Sequence, residues 1–279
     1  MKIFFVIGCS YSYGASLYYH EWMKNKPDGF KVIPWNHFSW NIHYDVLSSS
    51  DHKFRRDNRF VGLLSKELGM DYIGATDVGG NNVHILDESF RMLDRAKKIN
   101  EDKTVNNKSV EFMVVQMTHS SRDYIPPTQD ELREWSDFKS FDDHFNEHQD
   151  SLVVRLDVLN EECKKLNIRL YVMSMKNIIG NKIKSKEYFI PIIFENTEYI
   201  SIEHIQEQKN SRKEIEGIDY KPGKDYRTDI HYVYTMGKNI QVPLYICDEL
   251  YQYGIEDTHL GLNGHKIVKD SIIKKIKGV

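Results

Sequence analysis

Three residues of this chain have the chemistry to cleave an ester together: Ser10, His259 and Asp257. Ser10 lies in Gly8-Cys9-Ser10-Tyr11-Ser12-Tyr13-Gly14, directly after the apolar run Lys2-Ile3-Phe4-Phe5-Val6-Ile7. A serine hydroxyl becomes a useful nucleophile only when a base takes its proton. His259 can be that base. Asp257 stands two residues earlier, so in an extended loop both side chains point the same way and the carboxylate can orient the imidazole. Glu256 is the alternative acid. His265 is a rival base, but it falls inside the expected last helix, where packing or capping is its expected role. The competing reading of Ser10 is a helix cap, a common duty for a serine after a strand.

Elements of two kinds must bring these groups together. The run 2–7 is short, β-branched and aromatic, and it stops at a glycine, which predicts a strand buried on both faces of a parallel sheet. Reactive groups in such sheets sit just past the carboxyl ends of the strands. The spacing predicts a short helix over 15–23, broken at Lys26-Pro27-Asp28-Gly29. Residues 30–57 form an aromatic, His-rich stretch (Trp35, His37, Trp40, His43, His52) that either covers the mouth of the site or packs as a surface loop. Phe60, Leu63, Leu64 and Leu68 have helical spacing, ended by Gly69. A second strand is expected from Met70 to Ala75. After the turn at Asp77–Asn82, Val83, Leu86, Phe90, Leu93 and Ala96 mark the inner face of a helix. A third strand runs from Val110 to Met117. A long helix from Phe141 to Leu166 carries Leu152, Leu156, Leu159, Cys163 and Leu166 on one stripe, and Ile168 to Met173 is a fourth strand. This strand–helix rhythm implies right-handed crossovers and about five parallel strands. Residues 176–243 break the rhythm and read as a loop-rich insertion within a single domain spanning 1–279. A last strand is expected at 243–247, ahead of the Asp257/His259 loop and a final helix bearing Ile267, Val268, Ile272, Ile273 and Ile276.

A nucleophile near residue 10 and an acid–histidine pair near the far end resemble the SGNH (GDSL-like) hydrolase family. Gly8, Ser10 and Gly14 match its first motif, Gly-x-Ser-x-x-x-Gly, with Cys9 in place of the usual Asp. Asp257-Thr258-His259 is similar to its last motif; the commoner Asp-x-x-His spacing would nominate Glu256. The resemblance implies a three-layer α/β/α sandwich with a central parallel sheet of flavodoxin-like order. It further implies a serine esterase that needs no metal or organic cofactor. The family's second motif is a glycine whose backbone N–H helps to form the oxyanion hole, and Gly79 or Gly80 corresponds to it. Asn82 is either a side-chain donor to that hole or the helix cap, the cap being the expected duty of an asparagine so placed. The third motif, Gly-x-Asn-Asp, should follow the third strand. The chain instead reads Thr118-His119-Ser120-Ser121-Arg122-Asp123. The usual oxyanion asparagine is therefore missing, and Thr118, Ser120 or Asn82 must replace it. Arg122 either clamps an anionic or carbonyl group of the substrate or makes a surface salt bridge.

Composition narrows the function classes. The 279 residues are 40% hydrophobic, enough for one large α/β domain. A net charge of −3 gives no bulk attraction to nucleic acid or anionic membrane. Cys9, Cys163 and Cys247 lack metal-ligand or disulfide-framework spacing and fit a reducing, cytoplasmic setting. The stretch 3–7 is too short for a signal-peptide core or a membrane span. The aromatic share of 12%, with 17 tyrosines, suits contact with sugars. The expected partner is a small-molecule or carbohydrate ester, with O-acetylated carbohydrate first. Two other classes compete: a catalytically silent binding or virion-structural protein that keeps the fold, and a phosphate- or nucleotide-binding module using the Gly8–Gly14 turn. The turn lacks a lysine and has too few glycines for a phosphate cradle, which disfavours the last.

Overall fold

Strand β1 (Lys2–Gly8) is central because its side chains leave it nowhere else to go. Phe4, Phe5 and Val6 have no exposed surface, and Ile3 and Ile7 are 1% exposed. A strand apolar on both faces is stable only inside a sheet covered on both sides. The computed structural model places it so, between β2 (Asp71–Thr76) and β3 (Ser109–Met117), parallel to both. β4 (Arg169–Ser174) pairs in parallel with β3, giving the order β2-β1-β3-β4. The structure describes residues 1–9, 12, 14, 17, 49–76, 81–101, 108–118, 141–209, 260 and 262–278, with backbone alone at 51, 141–145 and 206–209. Of the expected helix over 15–23 only Leu17 is described, its N–H donating to Gly14 O at 3.1 Å, and residues 30–48 of the aromatic stretch and the expected strand at 243–247 lie outside the described residues.

The chain divides into two compact units. The first comprises Met1–Tyr13, Leu64–Ile205 and Asp270–Val279 and holds the sheet; the second comprises Gly14–Leu63 and Gln206–Lys269. The described helices are α1 (Ser49–Asn58), α2 (Phe60–Leu68), α3 (Asn82–Glu101), α4 (Phe141–Lys165), α5 (Asn177–Ile183), α6 (Ile202–Lys209) and α7 (Leu262–Lys277). A parallel sheet with connecting helices makes the fold α/β. No helix among the described residues is long and apolar enough to cross a membrane.

In the first unit, α3 packs on β3 and β1 and against α4, which packs on β4. The buried stripe of α3 is Ile85, Leu86, Ser89, Met92, Leu93 and Ala96; Val83 and Phe90, expected to face inward, are only half-buried. The buried face also takes in two polar residues, Asn82, which bonds to the Thr118 backbone, and Ser89, whose hydroxyl donates back to Ile85 O within the helix. On α4, Leu152, Leu156, Leu159 and Cys163 have no exposed surface, while Leu166 is half-buried beyond the helix end. Helices α2 and α4 stop in the same way. Gly69 and Asn167 adopt φ of 61° and 56°, and the next N–H closes back on the helix, Met70 to Ser65 O at 3.2 Å and Ile168 to Cys163 O at 2.9 Å. Glycine and asparagine are the residues that tolerate this left-handed cap, and each delivers the chain directly into a strand.

Residues 176–209 are more ordered than a loop-rich insertion. Tyr188–Ile190 extends the sheet beyond β4: Val172 N–H donates to Tyr188 O, and Ile190 N–H to Val172 O, both at 2.8 Å, with a parallel bridge at Val172–Phe189. β5 (Ile192–Phe194) and β6 (Thr197–Tyr199) form a hairpin whose two turn residues, Glu195 and Asn196, have φ of 46° and 62°. Two positive φ values match the turn to the strand twist, although Glu-Asn lacks the usual glycine signal.

Burial in this unit fixes its alkaline behaviour. Desolvation first, and the neighbouring Glu162 carboxylate second, push the Cys163 thiol up to about 12 from an ordinary value of 9.0. Burial also raises the hydroxyls of Tyr171 and Tyr188. A raised acid keeps its stabilising contribution below the unfolded value and loses it as pH climbs through the folded one. Stability is therefore expected to fall as pH rises from 9 towards 12. Iodoacetamide at pH 8 should leave Cys163 unmodified in the native protein and alkylate it after denaturation, as read by peptide mass spectrometry.

In the second unit, His265 has no exposed surface and its Nδ1 accepts the Phe60 N–H at 3.2 Å, with the two rings 6.0 Å apart. It caps the first turn of α2 and packs on its first residue. Gly14 takes φ of 75°, and a Cβ there would meet the Arg59 Cβ at 3.0 Å, so both conformation and space call for glycine.

Candidate functional site

The sheet order reverses between β1 and β3, so the crevice past their carboxyl ends is the place where open parallel sheets bind ligands. The turn that leaves β1 is anchored there by a residue of β3. Gln116 is buried, and its Oε1 accepts from the Cys9 N–H at 3.3 Å and from the Ser12 hydroxyl at 3.0 Å. The Cys9 thiol lies 3.4 Å from the same oxygen. Gln116 Nε2 donates to Met117 O at 2.8 Å. Only this orientation of the amide serves, because the Cys9 N–H needs an acceptor and Met117 O needs a donor. One side chain therefore holds the turn on both sides of Ser10 in the sequence.

Gly8 makes the anchorage possible. A Cβ on it would fall 2.3 Å from Ser12 Oγ and 2.9 Å from Gln116 Oε1. Gly8→Ala should cost about 1–3 kcal/mol, the usual penalty for overpacking a filled site. At Gly74 the nearest atom to an added Cβ is 3.8 Å away, so Gly74→Ala should leave the melting temperature nearly unchanged. Thermal melts of the two variants compare them directly.

A second brace joins α3 to the end of β3. Asn82 Oδ1 accepts the Thr118 N–H at 2.7 Å, and its Nδ2 lies 3.4 Å from Thr118 O. The helix cap is Asn81, not Asn82: Asn81 Oδ1 accepts the His84 N–H at 2.7 Å. The cap thus lies one residue before the expected Asn82, and the Asn82 amide is turned towards the β3 backbone, positioning Thr118. The Thr118 hydroxyl is buried and has no hydrogen-bond partner among the described residues.

Beside this crevice, a pocket of about 300 Å³ is lined by Ile7, Gly8, Gly74, Thr76, His84 and Glu88. Its wall on the β2 side carries no bulky side chain, and the first two turns of α3 supply an imidazole and a carboxylate. Gln116, His84 and Glu88 escape the sequence reading. Gln116 carries the one usable signal, a polar residue in an apolar strand. No group of histidine, cysteine and acidic residues that could hold a metal occurs among the described residues.

Of the residues expected to do chemistry, Asn82 and Thr118 are described and stand together at the end of β3. Ser10, Asp257, His259, Gly79, Gly80, Ser120 and Arg122 lie outside the described residues, as does the alternative acid Glu256. Comparison with models of known protein families, with curated proteins and with solved structures gave no match.

Proposed function

We propose that the chain is a serine ester hydrolase built on a three-layer α/β/α sandwich, with Ser10 as nucleophile, His259 as base and Asp257 orienting the imidazole. The observation that carries this reading is the buried Gln116 clamp on Cys9 and Ser12, at the point where the sheet order reverses. A capping serine on a solvated loop needs no such anchorage; a nucleophile does, since small misplacements are costly in rate.

In this mechanism Ser10 Oγ attacks the ester carbonyl while His259 takes the hydroxyl proton. The tetrahedral intermediate collapses, His259 returns the proton to the leaving alcohol, and Ser10 retains the acyl group. Water, deprotonated by His259, then releases the carboxylic acid and restores Ser10. Backbone N–H groups of Ser10 and of Gly79 or Gly80 stabilise the oxyanion, and the Thr118 hydroxyl is the side-chain donor left for it. Asn82 holds Thr118 in place. The pocket beside Gly8 suits a small, polar ester, in keeping with an O-acetylated carbohydrate.

Thr118→Val separates this reading from its rival. The substitution keeps the shape and removes a buried hydroxyl that has no partner among the described residues, so stability should hold or rise slightly. Turnover of p-nitrophenyl acetate should fall about 10²–10³-fold, the usual cost of one oxyanion donor. Thr118→Ser should retain most activity. The rival is a silent binding protein of the same fold, and the commitment of Asn82 to the Thr118 backbone favours it. That reading requires the wild type to hydrolyse no better than Ser10→Ala across acetyl, butyryl and longer esters.

A further inference from the structure

In the first unit, a pocket of about 480 Å³ lies between the β5–β6 hairpin, the segment after α5 and the last turns of α7. That volume is within the range of small-molecule sites. Its wall is fixed, because the Ile193 N–H donates to Ser271 Oγ at 2.8 Å and ties the hairpin to α7. Phe189 and Tyr199, each 5% exposed, supply an aromatic lining, with Pro191 and Ile193 beside them. Four lysines line the same cavity against one carboxylate, Glu198. Lys186 is engaged by Asp157 at 2.7 Å. Among the described residues, the Lys184 ammonium meets the neutral Asn181 amide at 3.4 Å, the Lys274 and Lys275 ammonium groups make no hydrogen bond or close ion pair, and Lys275 is near enough to Glu187 to help hold that carboxyl low. Solvation of a helix end accounts for Lys274 and Lys275. Lys184 is the C-cap of α5, so lysines from the ends of two helices converge on one cavity that Phe189 and Tyr199 also line.

We propose that this pocket binds a small phosphate monoester with a planar, apolar body. The body rests on Phe189 and Tyr199, and the phosphate is held by Lys184, Lys274 and Lys275, ammonium groups being effective point-charge partners for phosphate. Nothing in this proposal depends on ester hydrolysis at Ser10.

Calorimetric titration of the full chain with adenosine 5′-monophosphate, adenosine and inorganic phosphate tests it. The monophosphate should bind, and each half alone should bind at least tenfold more weakly. Added salt should weaken the monophosphate as the ion pairs are screened. Lys274→Glu/Lys275→Glu should weaken it at least tenfold, and Lys184→Glu, on another element, should weaken it as well. Lys97→Glu/Lys266→Glu, outside the pocket, should not. The proposal is overturned by absence of monophosphate binding at millimolar concentration, by adenosine binding as tightly as its phosphate, or by pocket variants matching the control.

Discussion

Hydrolysis of p-nitrophenyl acetate is expected to fall to background in Ser10→Ala and in His259→Ala alike. Nucleophile and base act as one unit, so losing either should cost nearly as much as losing both, and the double variant should be no worse than the single ones. Asp257→Asn should cost less than either, by leaving the base misoriented but present; if Glu256→Gln has the larger effect, Glu256 is the acid. His265→Ala serves as the internal comparison. It removes the acceptor of the Phe60 N–H and the ring that packs on Phe60, so it should lower the melting temperature. At a temperature where that variant is folded it should hydrolyse the ester at close to the wild-type rate. A rate that survives His259→Ala but not His265→Ala would move the base to the capping histidine.

The second large effect concerns Gln116. Gln116→Leu keeps the volume and removes the acceptor of two buried donors, the Cys9 N–H and the Ser12 O–H. Each buried donor left unsatisfied costs about 1–3 kcal/mol, so a destabilisation of about 2–6 kcal/mol is expected in a denaturant melt. If Ser10 is the nucleophile as proposed, activity should fall further than stability explains, by about 10²-fold in folded protein, because the clamp on Cys9 and Ser12 either side of it in sequence is lost. A variant destabilised as expected, yet fully active once folded, would show that the clamp serves the core alone.

The parallel sheet is legible in the sequence because its interior strands are apolar on both faces. Val110–Met117 and Ile168–Met173 identify β3 and β4 to within one residue, and Gly69 marks the end of α2 where the backbone turns left-handed. The buried face of α3 is less legible. Periodicity sorts residues by polarity, whereas Asn82 is buried against the Thr118 backbone, a tertiary contact no local pattern carries, and Ser89 satisfies its buried hydroxyl on Ile85 O of its own helix. The same holds for Asn81 as the cap: two adjacent asparagines look alike in sequence, and only the brace to Thr118 separates them. The hairpin at Glu195-Asn196 was hidden for a different reason, since its positive φ values occur without a glycine. At the proposed site, residue types and spacing suggested Ser10 as nucleophile, and only the family resemblance pointed to an absent oxyanion asparagine. The Gln116 clamp joins positions more than a hundred residues apart and becomes visible only when β1 and β3 lie side by side.

Labelling with a fluorophosphonate probe tests the nucleophile directly, because the reagent phosphonylates an activated serine and leaves ordinary hydroxyls alone. The expected result is one adduct per chain on the peptide containing Ser10, absent in Ser10→Ala and strongly slowed in His259→Ala. An unlabelled wild type, or an adduct that persists in Ser10→Ala, would contradict the assignment of Ser10 as the nucleophile.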